Sequence, residues 1–398
     1  MKRPHCKLAL FSLTVVLAAC GVERGEDSRA QAAEPTAEAG APASQADKAF
    51  AIEPHGTFDE PWAMTFLPGT SLLIVTEKAG TIAGYDTATG RRLAVTGAPK
   101  VAYGGQGGLG DVAFLASEAA DALTPRTIYL SWAEQGAGDT RGAVVGKGTL
   151  TCAANGDCTI GNLTVIWRQT PKVSGRGHYS HRLTFSPDGK YLFIASGDRQ
   201  KMTPAQDLSN TLGTIVRLTP DGKAAADNPF ATHKNADPAI WSYGHRNILG
   251  LRFDAQGRLW DLEHGPAGGD ELNLVEPGKN YGWPVVSNGN HYDGKPIPDH
   301  ATRPEFAAPA ISWTPVIAPG DFLFYAGALF PQWKGNALIP GLESKALVRV
   351  TIDGTRASEQ ARYDFGKRLR AIAEAPDGAL WVAEDGKDAR LLRLTPRP

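Results

Sequence analysis

Residues 185–194 read Phe185-Ser186-Pro187-Asp188-Gly189-Lys190-Tyr191-Leu192-Phe193-Ile194: an apolar residue, a turn, then a run of strand formers. The turn has a physical cause, because Pro fixes φ and Gly accepts positive φ. The run after the turn is of strand length and rich in β-formers. The pattern recurs at Phe66-Leu67-Pro68-Gly69 before Leu72-Leu73-Ile74-Val75, and at Phe253-Asp254-Ala255-Gln256-Gly257 before Leu259-Trp260. It returns at Ala375-Pro376-Asp377-Gly378 before Leu380-Trp381-Val382, with weaker copies at Val112-Ala113-Phe114 and Phe330-Pro331-Gln332-Trp333. About six copies at intervals of roughly 45 to 75 residues predict an all-β propeller whose blades carry insertions of variable length. Each copy predicts an alternating strand after its turn. A large β-sandwich or barrel is the alternative. A propeller closes by pairing its chain ends, so the Phe50 region and the strand around Leu391–Leu394 are expected to share a blade.

The composition agrees. Forty-five Gly and 28 Pro imply many turns, and helix-period apolar stretches are scarce. A net charge of −1 argues against a nucleic-acid binder. A chain with roughly 350 residues beyond its N-terminal segment suits one large repeat architecture better than an average domain.

The N-terminus reads as an address. Lys2, Arg3 and Lys7 precede the apolar run Leu8–Ala19, which falls short of the roughly 18 residues of a membrane span. Leu17-Ala18-Ala19-Cys20 resembles a lipobox, which makes 1–19 a lipoprotein signal peptide and Cys20 the lipidated residue. An ordinary signal peptide with a chance cysteine is the alternative. Gly21 after the cysteine favours the outer membrane, on the periplasmic side. From 20 to 48 the chain is Ala-, Glu-, Ser-, Pro- and Gly-rich and reads as a flexible tether. The propeller is expected over 49–398. Cys152 and Cys158 flank five small or polar residues, and an oxidising exported setting favours a disulfide between them over two free thiols.

Polar residues cluster where strands should end. The segments are Gly177-His178-Tyr179-Ser180-His181-Arg182, Gly197-Asp198-Arg199-Gln200, Tyr243-Gly244-His245-Arg246-Asn247 and Glu263-His264-Gly265-Pro266, the last running on to Asp270-Glu271-Leu272-Asn273 and Asn280-Tyr281-Gly282-Trp283-Pro284. A His beside a carboxylate can act as a general base, so His178 and Asp198 are candidates if their strands adjoin. Arg246 can stabilise developing negative charge. The Gly265-Pro266 stretch offers accessible carbonyl oxygens of the kind a hard cation such as calcium takes. Taken singly, each motif is as well read as a structural His, a polar turn or an acidic surface loop.

Taken together and in order, these strings resemble the glucose/sorbosone dehydrogenase family of soluble quinoproteins. Glu60-Pro61-Trp62-Ala63-Met64-Thr65-Phe66, Val75-Thr76-Glu77 and Gly105-Gln106-Gly107-Gly108-Leu109 add to the likeness, which runs from about Glu60 to Leu394. The resemblance implies a six-bladed β-propeller and oxidation of aldoses or related polyols with pyrroloquinoline quinone (PQQ) and calcium. His178 then matches the base that takes the sugar's anomeric proton, Asp198 its orienting carboxylate, and hydride passes from the sugar carbon to the quinone. Arg246, Asn247 and Gln106 match residues at the quinone's reactive carbonyl. Gly265 and Pro266 match carbonyl ligands of the cofactor's calcium, and Glu271 and Tyr281 match a separate calcium site. Trp313 and Thr314 match cofactor-pocket residues, and Arg368 and Arg370 the pair that binds its carboxylates.

Two positions depart from the family. Glu343 stands where a cofactor-holding Lys is expected, with Lys345 and Lys367 as candidate substitutes. His181 stands where relatives often have Gly, which implies a narrower sugar pocket. No Cys-x-x-Cys-His haem motif is present, so electrons must leave to an external acceptor. The competing readings are a metal-dependent lactonase or hydrolase on a related propeller, and a binding propeller without catalysis.

Overall fold

The computed structural model describes residues 49–153 and 156–397. The signal peptide, Cys20 and the tether all lie outside the described residues. Among the described residues the fold is all-β: the elements are strands and four 3-10 turns of three or four residues. Among the described residues no helix is long and apolar enough to cross a membrane.

Four sheets have four antiparallel strands each. A fifth, nine-stranded sheet contains two four-stranded antiparallel runs, 61–96 and 109–168, joined where Val95 and Thr96 pair in parallel with Cys158 and Thr159. The chain ends do share a sheet: Phe50–Phe58 lies antiparallel to Ala389–Pro396, with Ile52 opposite Leu394. The expected turns connect the first and second strands of their sheets, and Gly69, Gly189, Gly257 and Gly378 all have φ between 70° and 84°.

The strand after each turn differs from the expected alternation. Leu72–Glu77, Leu192–Ser196, Leu259–Glu263 and Leu380–Glu384 are buried at every position. Each is covered on both faces by neighbouring sheets, which calls for a continuous apolar run. Alternation appears instead at the fourth strands, such as Arg356–Asp364.

The first strands of successive sheets touch one another in turn, and Leu369–Glu374 touches Pro61–Phe66, so they encircle a common axis. Arg182 fills the middle of that axis. Its side chain is fully buried, donates 2.6 Å hydrogen bonds to Leu249 O and Gly320 O, and lies 4.0 Å from the Trp62 ring centroid. Asp111 and Asp321 sit within 3.4 and 3.7 Å of its guanidinium. Paired in this way, the buried charge stitches several first strands together and closes the axis between its two mouths. The mouth at the N-terminal ends of these strands gathers the polar segments singled out in the sequence.

Cys152 and Cys158 are opposite one another in adjacent strands and form a disulfide.

Candidate active site

The structure brings His178 and Asp198 together. Both lie where the sheet containing Ser180–Phe185 and Leu192–Ser196 reaches the mouth, and both are buried. His178 Nδ1 is 2.7 Å from Asp198 Oδ1. A carboxylate only accepts, so Nδ1 carries the proton and Nε2 keeps a free lone pair. Asp198 also accepts from Trp283 Nε1 at 2.8 Å and from the backbone N–H groups of Gln200 and Met202. Burial works to raise its pKa, but these donors outweigh it and Asp198 stays below the usual carboxylate range. For His178, burial is the largest influence and lowers the pKa. The Asp198 bond opposes it, the Arg246 charge reinforces it, and the net value lies below that of an ordinary His. The ring is therefore neutral and oriented near neutral pH. His178, Ser180, His181, Arg199 and Gln200 all have φ between 46° and 59°, backbone that non-glycine residues rarely adopt. Such clustered strain is characteristic of functional sites.

Arg246 is held from several sides. Its backbone N–H donates to Glu263 Oε2 at 2.7 Å and its Nη1 to His264 O at 3.0 Å. The guanidinium lies 5.1 Å from the Trp283 ring centroid, and its buried Nε has no partner among the described residues. Asn247 next to it is buried, with Oδ1 3.5 Å from Ser180 Oγ.

A cavity of about 180 Å³ lies at this mouth and is lined in part by Gln106, Asn247, His264, Lys78, Arg368 and Arg370. Lys78, Arg368 and Arg370 bring positive charge, and no carboxylate lines the cavity. His178 sits just behind the lining, where its backbone N–H donates to Gln106 Oε1 at 2.7 Å. Arg368 and Arg370 both reach Asp385, at 2.9 and 2.8 Å. His181 is among the lining residues, buried against Trp62 and bonded to Ser131. Glu343 is exposed and outside the lining; its neighbour Leu342 faces the cavity instead. Lys345 and Lys367 are absent from the lining as well, and the third cation is Lys78.

The Gly265-Pro266 loop borders a gap of only about 10 Å³, together with Arg246, Glu271 and Tyr281. Asp270 pins the loop by accepting from Gly265 N at 2.9 Å. A Cβ on Gly265 would fall 2.2 Å from Gly268 O, so only Gly fits. No hydrogen bond among the described residues uses the Gly265 or Pro266 carbonyl. Glu271 is buried 3.5 Å from His300 Nε2, and burial raises its pKa. The Tyr281 phenol donates to Leu274 O and accepts from Glu276 N, and no hydrogen bond among the described residues uses its backbone carbonyl. The Tyr281 ring stacks on His245 at 4.6 Å. Trp313 packs in the core with Trp260 and Leu262 and donates to Glu359, so its indole belongs to the interior and not to the cavity lining. Thr314 lies apart from the cavity too, where its Oγ1 accepts from Gly269 N.

A profile of the glucose/sorbosone dehydrogenase family matches residues 58–393, nearly all of the described chain. The chain belongs to this family. The dehydrogenase is thus an oxidoreductase. It is 37% identical over 347 residues to aldose sugar dehydrogenase YliI of Escherichia coli, covering 85% of this chain and 91% of the relative. The solved apo-form of the soluble E. coli aldose sugar dehydrogenase superposes with a TM-score of 0.79 at 35% identity, covering 87% of this chain and 100% of that one. The PQQ-bound aldose sugar dehydrogenase of Streptomyces coelicolor superposes at 0.69 with 28% identity, covering 87% and 98%.

The roles of Lys78, His264 and Tyr292 near this mouth were not assigned from the sequence. Lys78 follows a strand, and only its place in space aims it at the cavity. His264 is partly buried and donates from Nε2 to Pro319 O at 2.7 Å; desolvation lowers its pKa to about 3. Tyr292 lies in an insertion with no motif.

Proposed function

We propose that the protein oxidises aldoses or related sugars and polyols with PQQ and calcium, with His178 as general base, on a six-bladed propeller. The observation that carries this reading is the buried His178 locked to Asp198 beside a cavity lined by three cations and no carboxylate. The residues present fit the cofactor. A tricarboxylate suits a cavity lined by Lys78, Arg368 and Arg370, and the buried, unpartnered Arg246 Nε suits a carbonyl oxygen. The unused carbonyls of Gly265 and Pro266 suit calcium, as would Glu271 with the Tyr281 carbonyl for a second ion. When bound, PQQ supplies the acceptor for the hydride, and calcium grips it as a Lewis acid.

The chain's own residues do the rest. His178 Nε2 takes the proton of the sugar hydroxyl. Asp198 holds the tautomer and steadies the imidazolium that forms. Arg246 presents a fixed positive charge, and Asn247 and Gln106 orient groups in the cavity. Four sheets and the two four-stranded runs of the fifth supply the blades.

A lipid anchor at Cys20 would place the enzyme on the periplasmic face of a bacterial outer membrane, passing electrons to an external acceptor. Loss of membrane association in Cys20→Ser is the expected result. The hydrolase reading is less favoured, because among the described residues the buried His, Asp and Glu cluster, His245, Asp261 and Glu263, does not line the cavity.

Reconstitution of the purified chain with PQQ and calcium, followed spectroscopically on adding aldoses, tests the proposal. Reduction of the quinone by a sugar is expected. Failure to bind PQQ at all would overturn it.

A further inference from the structure

Among the described residues three large apolar side chains are exposed: Tyr103 at 49%, Leu123 at 37% and Tyr292 at 78%. Both tyrosines stand beside the site. Tyr103 precedes the Gly104-Gly105-Gln106 loop and bonds through its phenol to Glu60, the partner of Lys78. Tyr292 accepts a 3.1 Å hydrogen bond from Arg246 Nη2, and its ring centroid is 5.8 Å from the guanidinium carbon. Trp283, on which the same guanidinium packs, is the donor that steadies Asp198.

The loop that carries Tyr292 is ordered by its backbone. Ala267 and Asn290 exchange hydrogen bonds of 2.9 and 3.2 Å, Ser287 N donates to Pro298 O, and His291 N donates to Lys295 O. The anchor at Ala267 adjoins the Gly265-Pro266 loop. The ring is thus fixed at one end by its loop and at the other by a charged donor, while most of its surface remains in water. One exposed aromatic is ordinary on a protein surface; this one stands apart because it is bonded to Arg246 beside the site and leaves most of its ring open to an occupant. A pyranose has an apolar C–H face and a hydroxyl rim. It suits a ring whose face is free and whose hydroxyl is already engaged.

We propose that Tyr292 is the platform on which the sugar ring of the substrate stacks, next to Arg246. This assignment rests on the sugar-oxidising function proposed above and adds the residue that recognises the ring. Tyr292 is a specificity residue: it holds the ring and takes no part in proton or hydride transfer. Because stacking needs the ring and not the hydroxyl, the two separate by substitution.

The test uses the PQQ- and calcium-loaded full chain and its Tyr292→Ala and Tyr292→Phe variants, with two readouts. The first is steady-state oxidation of D-glucose. Tyr292→Ala is expected to raise KM about tenfold with kcat within about threefold, while Tyr292→Phe stays near wild type. The second is saturation-transfer NMR of methyl β-D-glucopyranoside, whose anomeric hydroxyl is blocked. Its ring protons are expected to be saturated by wild type and Tyr292→Phe, but not by Tyr292→Ala.

An unchanged KM in Tyr292→Ala overturns the platform. So does a Phe variant as impaired as the Ala variant, which would assign the effect to the Arg246 bond. No glycoside saturation in the wild type also overturns it. Saturation that depends on the ring, in a protein that oxidises no aldose, would retain the platform and reject the sugar-oxidising function.

Discussion

Two buried histidines, each beside a carboxylate, have opposite charge states. His178 faces one carboxylate, Asp198, and stays neutral because burial outweighs that single bond. His245 faces two, with Nδ1 3.0 Å from both Asp261 and Glu263. Burial acts against its charge as well, but the two acids together push its pKa up to about 9. Burial in turn raises Asp261 to about 6. The second carboxylate decides the outcome: one acid orients an imidazole, whereas two hold an imidazolium. The first histidine can take a proton. The second already holds one, and it serves as part of the mount for Arg246, since Glu263 also accepts from Arg246 N.

The largest expected effect breaks the first pair. His178→Ala should lower kcat by about ten-thousand-fold, while PQQ affinity, read by titration, changes less than about threefold. A loss of only a few-fold would show that another group is the base. Asp198→Asn leaves the imidazole in place but removes the acceptor that fixes its tautomer, and a fall in kcat of about a hundredfold or more is expected.

Glu263→Gln gives His245 a single carboxylate and so turns the second site toward the first. It also weakens the bond to Arg246 N. A loss of about tenfold in PQQ affinity, measured by equilibrium titration, is expected. An unchanged affinity would separate Arg246 from the His245 cluster.

The pH dependence of the two histidines has opposite signs. A base acts when neutral, so kcat/KM should fall on the acid side only below the ordinary His value of about 6.5, because the His178 pKa is lowered. For His245 the folded pKa is raised, so its contribution to stability is complete below about 6.5 and is lost as pH rises through about 9. A Tm that declines between those limits in the wild type, and declines less steeply in His245→Gln, is the smallest expected effect. Equal slopes would remove the charge from His245.

The sequence by itself determined the all-β class, the turn positions and the order of the site motifs. Turns are local: Pro187, Asp188 and Gly189 dictate their own geometry wherever they occur. Family membership also lies in the ordered strings from Glu60 to Leu394. Which strands alternate was not legible, because burial on both faces depends on the neighbouring sheet and not on the strand. The position of Glu343 was not legible either: one residue separates the cavity-facing Leu342 from an exposed side chain. Lys78 and Tyr292 were missed for the same reason, since each meets the site through residues far along the chain, the cavity lining of Asn247, Arg368 and Arg370 in one case and Arg246 in the other. Charge states were hidden for a related reason. His178 and His245 sit in equally polar strings, and only the tertiary structure counts the carboxylates around each and sets the burial they must overcome.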